Sequence, residues 1–235
     1  MQNNMVIMKN TFKVLNLKEI ILWIISLVVV ISSYLISGQY QLITILAPVV
    51  GVTCLIFVAK GHILGQILTV VFSILYAIVS FQFHYYGEMI TYLCMTLPIA
   101  IVSIISWLKH PYKDKGQVEV AKLTRKSILF LLIATIVVTT VFYFVLSYFN
   151  TPNIIFSTIS IATSFLAAAL MFLRNPYYAI AYMLNDIVLI VLWSLASIDN
   201  ISYLPMIFCF TMFLINDLYG FYCWKKMQKD QALNK

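Results

Sequence analysis

Long apolar runs broken by short polar turns set the first expectation. Eight stretches are about long enough to cross a bilayer, which takes roughly 17–25 residues each. They are Ile20–Ile36, Leu42–Ala59, Ile63–Phe83, Met89–Leu108, Ser127–Phe149, Ile154–Leu173, Tyr177–Ile198 and Ile201–Trp224. The connections are short except for Lys109–Lys126. Backbone groups in lipid need internal partners, and the chain lacks alternating ten-residue strands, so the pattern predicts an all-α integral membrane protein rather than a barrel. No cleavable signal peptide is expected, because the first apolar run is long and has no small-residue cleavage site after it.

Composition agrees: the 235 residues are 63% hydrophobic and 10% charged. A soluble domain carries about 45–50% apolar and about 25% charged residues. Charge then orients the chain. All fifteen basic residues fall on one side if the N-terminus is cytoplasmic. Lys9, Lys13 and Lys18 precede the first run; Lys60 follows the second; Lys109, Lys113, Lys115, Lys122, Arg125 and Lys126 follow the fourth. Arg174 follows the sixth, and Lys225, Lys226, Lys229 and Lys235 follow the eighth. The opposite turns hold only His84, Glu88 and Asp199 as titratable groups. This is the positive-inside pattern of eight spans with both termini cytoplasmic. The net charge of +7 is thus a topology signal with some attraction to anionic membrane lipid, and gives no ground for a nucleic-acid partner.

A shift of 117 positions aligns the second to fourth runs with the sixth to eighth. Ile63 meets Ile180, Tyr76 meets Trp193, Tyr86 meets Tyr203, and Trp107 and Lys109 meet Trp224 and Lys226. Three spans reverse the chain, so the intervening fifth restores the orientation. The expectation is a parallel 3+1+3 repeat, preceded by one extra N-terminal helix. Transporters with parallel repeats hold their site near the midplane, between the halves. The chain then divides into a cytoplasmic start and extra helix (1–41), a first three-helix bundle (42–108), a basic loop and linker helix (109–153), a second bundle (154–225) and a cytoplasmic tail (226–235).

Polar residues inside the runs supply the chemistry. In the seventh run, Tyr178, Tyr182, Asn185, Asp186, Leu189 and Trp193 share one helical stripe. Its middle places a carboxylate where insertion costs roughly 2.5–3.5 kcal/mol. In the third run, Gln66, Thr69, Ser73, Tyr76 and Ser80 form a second stripe. The sixth run offers Ser157, Thr158, Ser160, Thr163 and Ser164, and the eighth Asn216 and Asp217. Candidate substrate contacts are Asn185, Asp186, Tyr182, Trp193, Gln66, Ser73, Tyr76, Thr163, Asn216 and Asp217. Structural roles compete. Hydroxyl stripes also join helices, Asp217 is also placed to pair with Arg174 or Lys60, and Trp193 suits an interfacial belt. The four cysteines read as small buried hydrophobes, and His62, His84 and His110 make no ligand spacing. No metal, cofactor or catalytic group is therefore expected, and the chain reads as no enzyme. Pro48 and Pro98 are candidate kinks.

Four stretches carry a family likeness: YYGEMITYLCMTLPIAIVSIISWLKHP (Tyr85–Pro111), NTPNIIFSTISIATSFLAAAL (Asn150–Leu170), YYAIAYMLNDIVLIVLWSLASI (Tyr177–Ile198) and FLINDLYGFYCWKKM (Phe213–Met227). The chain resembles PnuC, the nicotinamide riboside transporter family, from about Thr44 to Met227, and most closely its Gram-positive members. The resemblance implies a SWEET-like fold, a homotrimer in the bacterial cell (inner) membrane, and facilitated diffusion of the vitamin. It also implies a functional link to a cytoplasmic kinase that traps the substrate by phosphorylation and so feeds NAD biosynthesis. It places the site between the bundles, with Asn185 matching the family's Asn in the seventh span. Many members have Trp four residues before that Asn, where this chain has Ala181 flanked by Tyr182. The substrate's pyridinium suits aromatic faces, worth roughly 0.5–2 kcal/mol, and Asp186 to offset its charge. Asn185, Gln66 and nearby hydroxyls suit its amide and ribose. Thiamine, also cationic and aromatic, is the alternative substrate, and proton coupling through Asp186 and Asp217 the alternative mechanism.

Overall fold

The computed structural model describes residues 14–38, 41–113 and 116–234, apart from the side chain of Asp199. Lys9, Lys13, Lys115 and Lys235, which enter the charge pattern, lie outside the described residues. Among the described residues, eight helices are long and apolar enough to span a membrane. They are α1 (Leu17–Ile36), α2 (Leu42–Ala59), α3 (Ile63–Gln82), α4 (Tyr86–Lys109), α5 (Arg125–Tyr148), α6 (Ile154–Phe172), α7 (Tyr178–Asp199) and α8 (Leu204–Leu233). A two-residue hairpin, β1 (Pro111–Tyr112) with antiparallel β2 (Gln117–Val118), interrupts the loop between α4 and α5.

Local chemistry sets several boundaries. Asn16 caps α1 by accepting from the Glu19 N–H, and the Glu19 carboxylate accepts from the Asn16 N–H in return. Thr124 caps α5 through the Ser127 N–H. α8 runs nine residues past Trp224, where the apolar pattern stops, because the Lys/Met/Gln/Ala-rich sequence there favours helix. Inside α4, residues Tyr92–Thr96 widen into a π turn, and the Leu97 N–H reaches the Tyr92 carbonyl. Pro98 follows directly. It has no N–H to give, and the wider turn absorbs the missing bond.

Helices α2–α4 pack together, as do α6–α8, and the two groups meet where α2 lies against α8 and α4 against α6. α1 lies against α2 and α8. α5 packs chiefly on α6 and is the least buried of the eight, with Ile133, Ile136, Val137 and Phe144 turned outward. The tightest crossing is α2 against α3. A Cβ on Gly65 would stand 2.6 Å from the Val58 backbone nitrogen, so only glycine admits that approach.

The basic residues gather at one end of the bundle. There the α4–α5 loop fastens three elements. The Val118 N–H donates to the Gly61 carbonyl in the α2–α3 turn (3.0 Å), and the Ala121 N–H to the Arg174 carbonyl in the α6–α7 turn (3.0 Å). Gln231 of α8 accepts from the Val120 N–H (2.8 Å) and donates to the Val118 carbonyl (3.0 Å). Lys60 does not reach Asp217; it pairs with Glu19 of α1 at 3.0 Å. Burial lowers the pKa of the Arg174 guanidinium from its ordinary value, and nearby Glu119 opposes the shift.

Candidate functional site

Two aromatic layers divide the bundle along its length. Toward the basic end, Trp107 and Trp224 stack at 5.6 Å. Each indole N–H donates to a carbonyl of the other group, Trp107 to Met171 on α6 and Trp224 to Val58 on α2. Tyr178 packs edge-on against Trp224 at 5.0 Å. Toward the far end, Trp193 packs on Tyr85 (4.6 Å) and Tyr203 (5.7 Å), and its indole N–H donates to Tyr76.

A central cavity lies between the layers, with about 60 Å³ open to the centre of a water molecule. α7 supplies Tyr182, Asn185 and Asp186, α3 supplies Gln66 and Thr69, and α8 supplies Asp217. Phe72, Tyr92, Phe210 and Phe213 form its aromatic wall toward the far layer, and Cys54, Val58 and Met171 its wall toward the basic end. No Lys, Arg or His lines it among the described residues.

Asn185 is held from α6. The hydroxyls of Ser160 (3.3 Å), Thr163 (2.9 Å) and Ser164 (2.8 Å) donate to its Oδ1. That convergence fixes the amide and leaves the Nδ2 group to the cavity. Asp186 and Asp217 approach within hydrogen-bonding reach of each other. Asp186 Oδ2 has no partner, nor has the nearby Gln66 Nε2. Buried polar groups are usually satisfied, so two open valences on one wall mark a surface suited to a polar ligand. The constellation can bind a flat organic cation: two carboxylates, two amides and a wall of rings, with no opposing positive charge.

The predicted contacts divide by position. Asn185, Asp186, Tyr182, Gln66 and Asp217 line the cavity. Thr163 stands behind it as a support of Asn185. Tyr76 and Trp193 belong to the far aromatic layer. Ser73 returns its hydroxyl to the Thr69 carbonyl, and Asn216 faces α1, donating to Ser26 and to the Met212 carbonyl. Several lining residues were not among the candidates: Thr69, Tyr92, Thr96, Ser164 and the phenylalanines. Thr69 has a signal, since it lies 117 positions before Asp186. Tyr92 and Thr96 have none, because the π turn that presents them is invisible in the polar pattern.

Comparison with known proteins places this geometry. The sequence model of the family described as nicotinamide mononucleotide transporter matches residues 41–226. A protein of Neisseria mucosa called nicotinamide riboside transporter PnuC is 30% identical over 188 residues, which cover 78% of this chain and 72% of that protein. A protein of the same name from Haemophilus influenzae is 26% identical over 80% of each chain. The fold also matches a solved structure described as the crystal structure of the vitamin B3 transporter PnuC, with a TM-score of 0.81 and 26% identity over 95% of this chain and 99% of that one. With a match spanning seven of its eight membrane helices, the chain belongs to the nicotinamide mononucleotide transporter family of multi-pass membrane transporters.

Proposed function

We propose that this protein carries nicotinamide riboside across the bacterial cell membrane by facilitated diffusion. The observation that carries the reading is the facing pair Asp186 and Asp217, joined by Asn185 in an aromatic cavity with no basic lining residue. The mononucleotide and the riboside differ by a phosphate. A phosphate ester placed against two carboxylates meets repulsion on every side and no donor cation. The riboside carries only the pyridinium charge, which offsets the carboxylates and lies against the Phe and Tyr faces. Its carboxamide and ribose hydroxyls match the Asn185 and Gln66 amides. The relatives named as riboside transporters support the same choice.

The remaining parts of the proposal follow the family likeness and the charge pattern. Basic residues face the cytoplasm, and both termini lie there. The two three-helix groups are parallel repeats around the cavity, with α5 as linker and α1 added in front. Three copies assemble in the membrane, and a cytoplasmic kinase phosphorylates the delivered vitamin, which the acidic cavity then does not readmit.

Thermal stabilisation of the purified protein tests the substrate. Nicotinamide riboside is expected to raise the unfolding temperature, while the mononucleotide and riboflavin do not. Stabilisation by thiamine alone replaces the substrate and keeps the cation site. Stabilisation by the mononucleotide overturns the charge argument. The carboxylate pair also favours a second reading, proton-coupled transport, which predicts uptake driven by an imposed pH gradient; uptake indifferent to that gradient removes it.

A further inference from the structure

Glu88 is a buried acid outside the cavity, at the far end of the bundle. It lies in the first turn of α4 and is 2% exposed. An acid there ordinarily serves the unpaired N–H groups of the helix start. Glu88 does not do so: no side chain caps the start of α4 at Tyr85, and Glu88 Oε2 has no hydrogen-bond partner. No basic side chain forms an ion pair with it among the described residues. A carboxylate held this way at the membrane carries a large desolvation cost with no structural return.

Its surroundings are aromatic. Tyr76 and Tyr92 both lie within its electrostatic reach, and their rings stack at 4.3 Å. Tyr76 accepts from Trp193, which packs on Tyr85. Tyr92 also lines the central cavity and lies within reach of Asp186. Glu88, Asp186 and Asp217 therefore form a series from the far end inward, with Tyr92 between the first two. A carboxylate beside tyrosine faces is a receptor for a flat organic cation, since charge and ring quadrupole act in the same direction. Diffusing cations also concentrate where acidic groups stand in low-dielectric walls.

We propose that Glu88, with Tyr76 and Tyr92, forms a second cation-binding station, which receives the positively charged ring of the substrate before it reaches Asn185 and Asp186. The proposal rests on the reading of the substrate as a cationic nucleoside. The rings of the far layer part to admit the ligand, and Glu88 is the first buried carboxylate among the described residues that it meets.

The test compares two ligands that differ in ring charge: nicotinamide riboside and its uncharged dihydro form. Uptake of each at sub-saturating concentration is measured in vesicles holding the wild-type protein, Glu88→Gln or Glu88→Asp. The expected result is that Glu88→Gln lowers uptake of the cation about tenfold, leaves uptake of the dihydro form unchanged and does not lower the unfolding temperature. Glu88→Asp keeps the charge and is expected to recover much of the loss. Equal losses for both ligands, or no loss for either, overturn the station and leave the substrate reading intact. A wild-type protein that neither binds nor carries the riboside overturns that reading, and the station with it.

Discussion

The Trp193 indole N–H donates to the Tyr76 hydroxyl at 3.2 Å, and the two residues lie 117 positions apart in the chain. Trp107 and Trp224, whose rings stack at 5.6 Å, are separated by the same interval (224 − 107 = 117). Under the proposed repeat, residues at equivalent positions that touch lie beside the axis that relates the two halves. One such pair stands in each aromatic layer, and the cavity lies between them. On that reading, the pairs are the two constrictions expected to open in turn during transport.

The Tyr76–Trp193 bond is expected to show in a double-mutant cycle. Tyr76→Phe leaves a buried indole N–H unpaired, at a cost of about 1–3 kcal/mol. Trp193→Phe strands the phenol and also loses ring area. The double variant is expected to lose less unfolding temperature than the two single losses added together. Strict additivity denies that the bond stabilises the closed far layer.

Asn185→Leu removes the amide that three hydroxyls orient. One or two lost ligand bonds correspond to at least about tenfold weaker binding. Thr139→Leu lies on α5, where the Thr139 hydroxyl has no partner to lose, and is expected to bind as the wild type does. Equal effects in a titration of the riboside deny Asn185 its role.

Asp186→Asn and Asp217→Asn are expected to move stability and binding in opposite directions. Each relieves the repulsion of two facing carboxylates, so the unliganded protein gains stability, by about 2–4 °C per kcal/mol. Each also takes away one acid that can ionise against the bound cation, so affinity falls about tenfold. A drop in unfolding temperature for both variants means that the carboxylates serve structure instead.

Glu19 holds α1 to the rest of the bundle. It is 1% exposed, and its Oε1 accepts from Lys60 (3.0 Å) and Tyr219 (2.8 Å). Glu19→Ala strands both partners. Breaking a buried pair costs about 3–5 kcal/mol, and the partial exposure of Lys60 sets the expectation at the lower end. Glu19→Gln keeps one acceptor oxygen for the Asn16 N–H and offers an NH2 that the Tyr219 hydroxyl can accept, but loses the charge that pairs with Lys60, and is expected to recover about half. The readout is the unfolding temperature in detergent, and a harmless Glu19→Ala refutes the assignment.

Eight spans were legible because lipid imposes length and hydropathy on each helix separately. The central placement of Asn185 and Asp186 was legible for a related reason: polar groups at mid-helix are costly enough that few survive without a use. Which way a helix faces was harder to read. Asn216 and Asp217 are adjacent in sequence, yet Asp217 enters the cavity while Asn216 turns to Ser26 of α1, a helix outside the repeat. Tyr76 and Trp193 share stripes with cavity residues, but each lies about two turns further along its helix than Thr69 and Asp186, which puts it in the far layer. The aromatic wall was not legible, because Phe72, Phe210 and Phe213 look the same in sequence as the phenylalanines that meet lipid.

The loop between α4 and α5 bears on how the basic end lets go. Its bonds reach Gly61 in the α2–α3 turn, Arg174 in the α6–α7 turn and Gln231 on α8. A hydrogen bond weakens steeply once its geometry is lost, so these attachments resist small displacements and then fail together. Opening of the basic end during transport is therefore expected to break these attachments together, not one at a time.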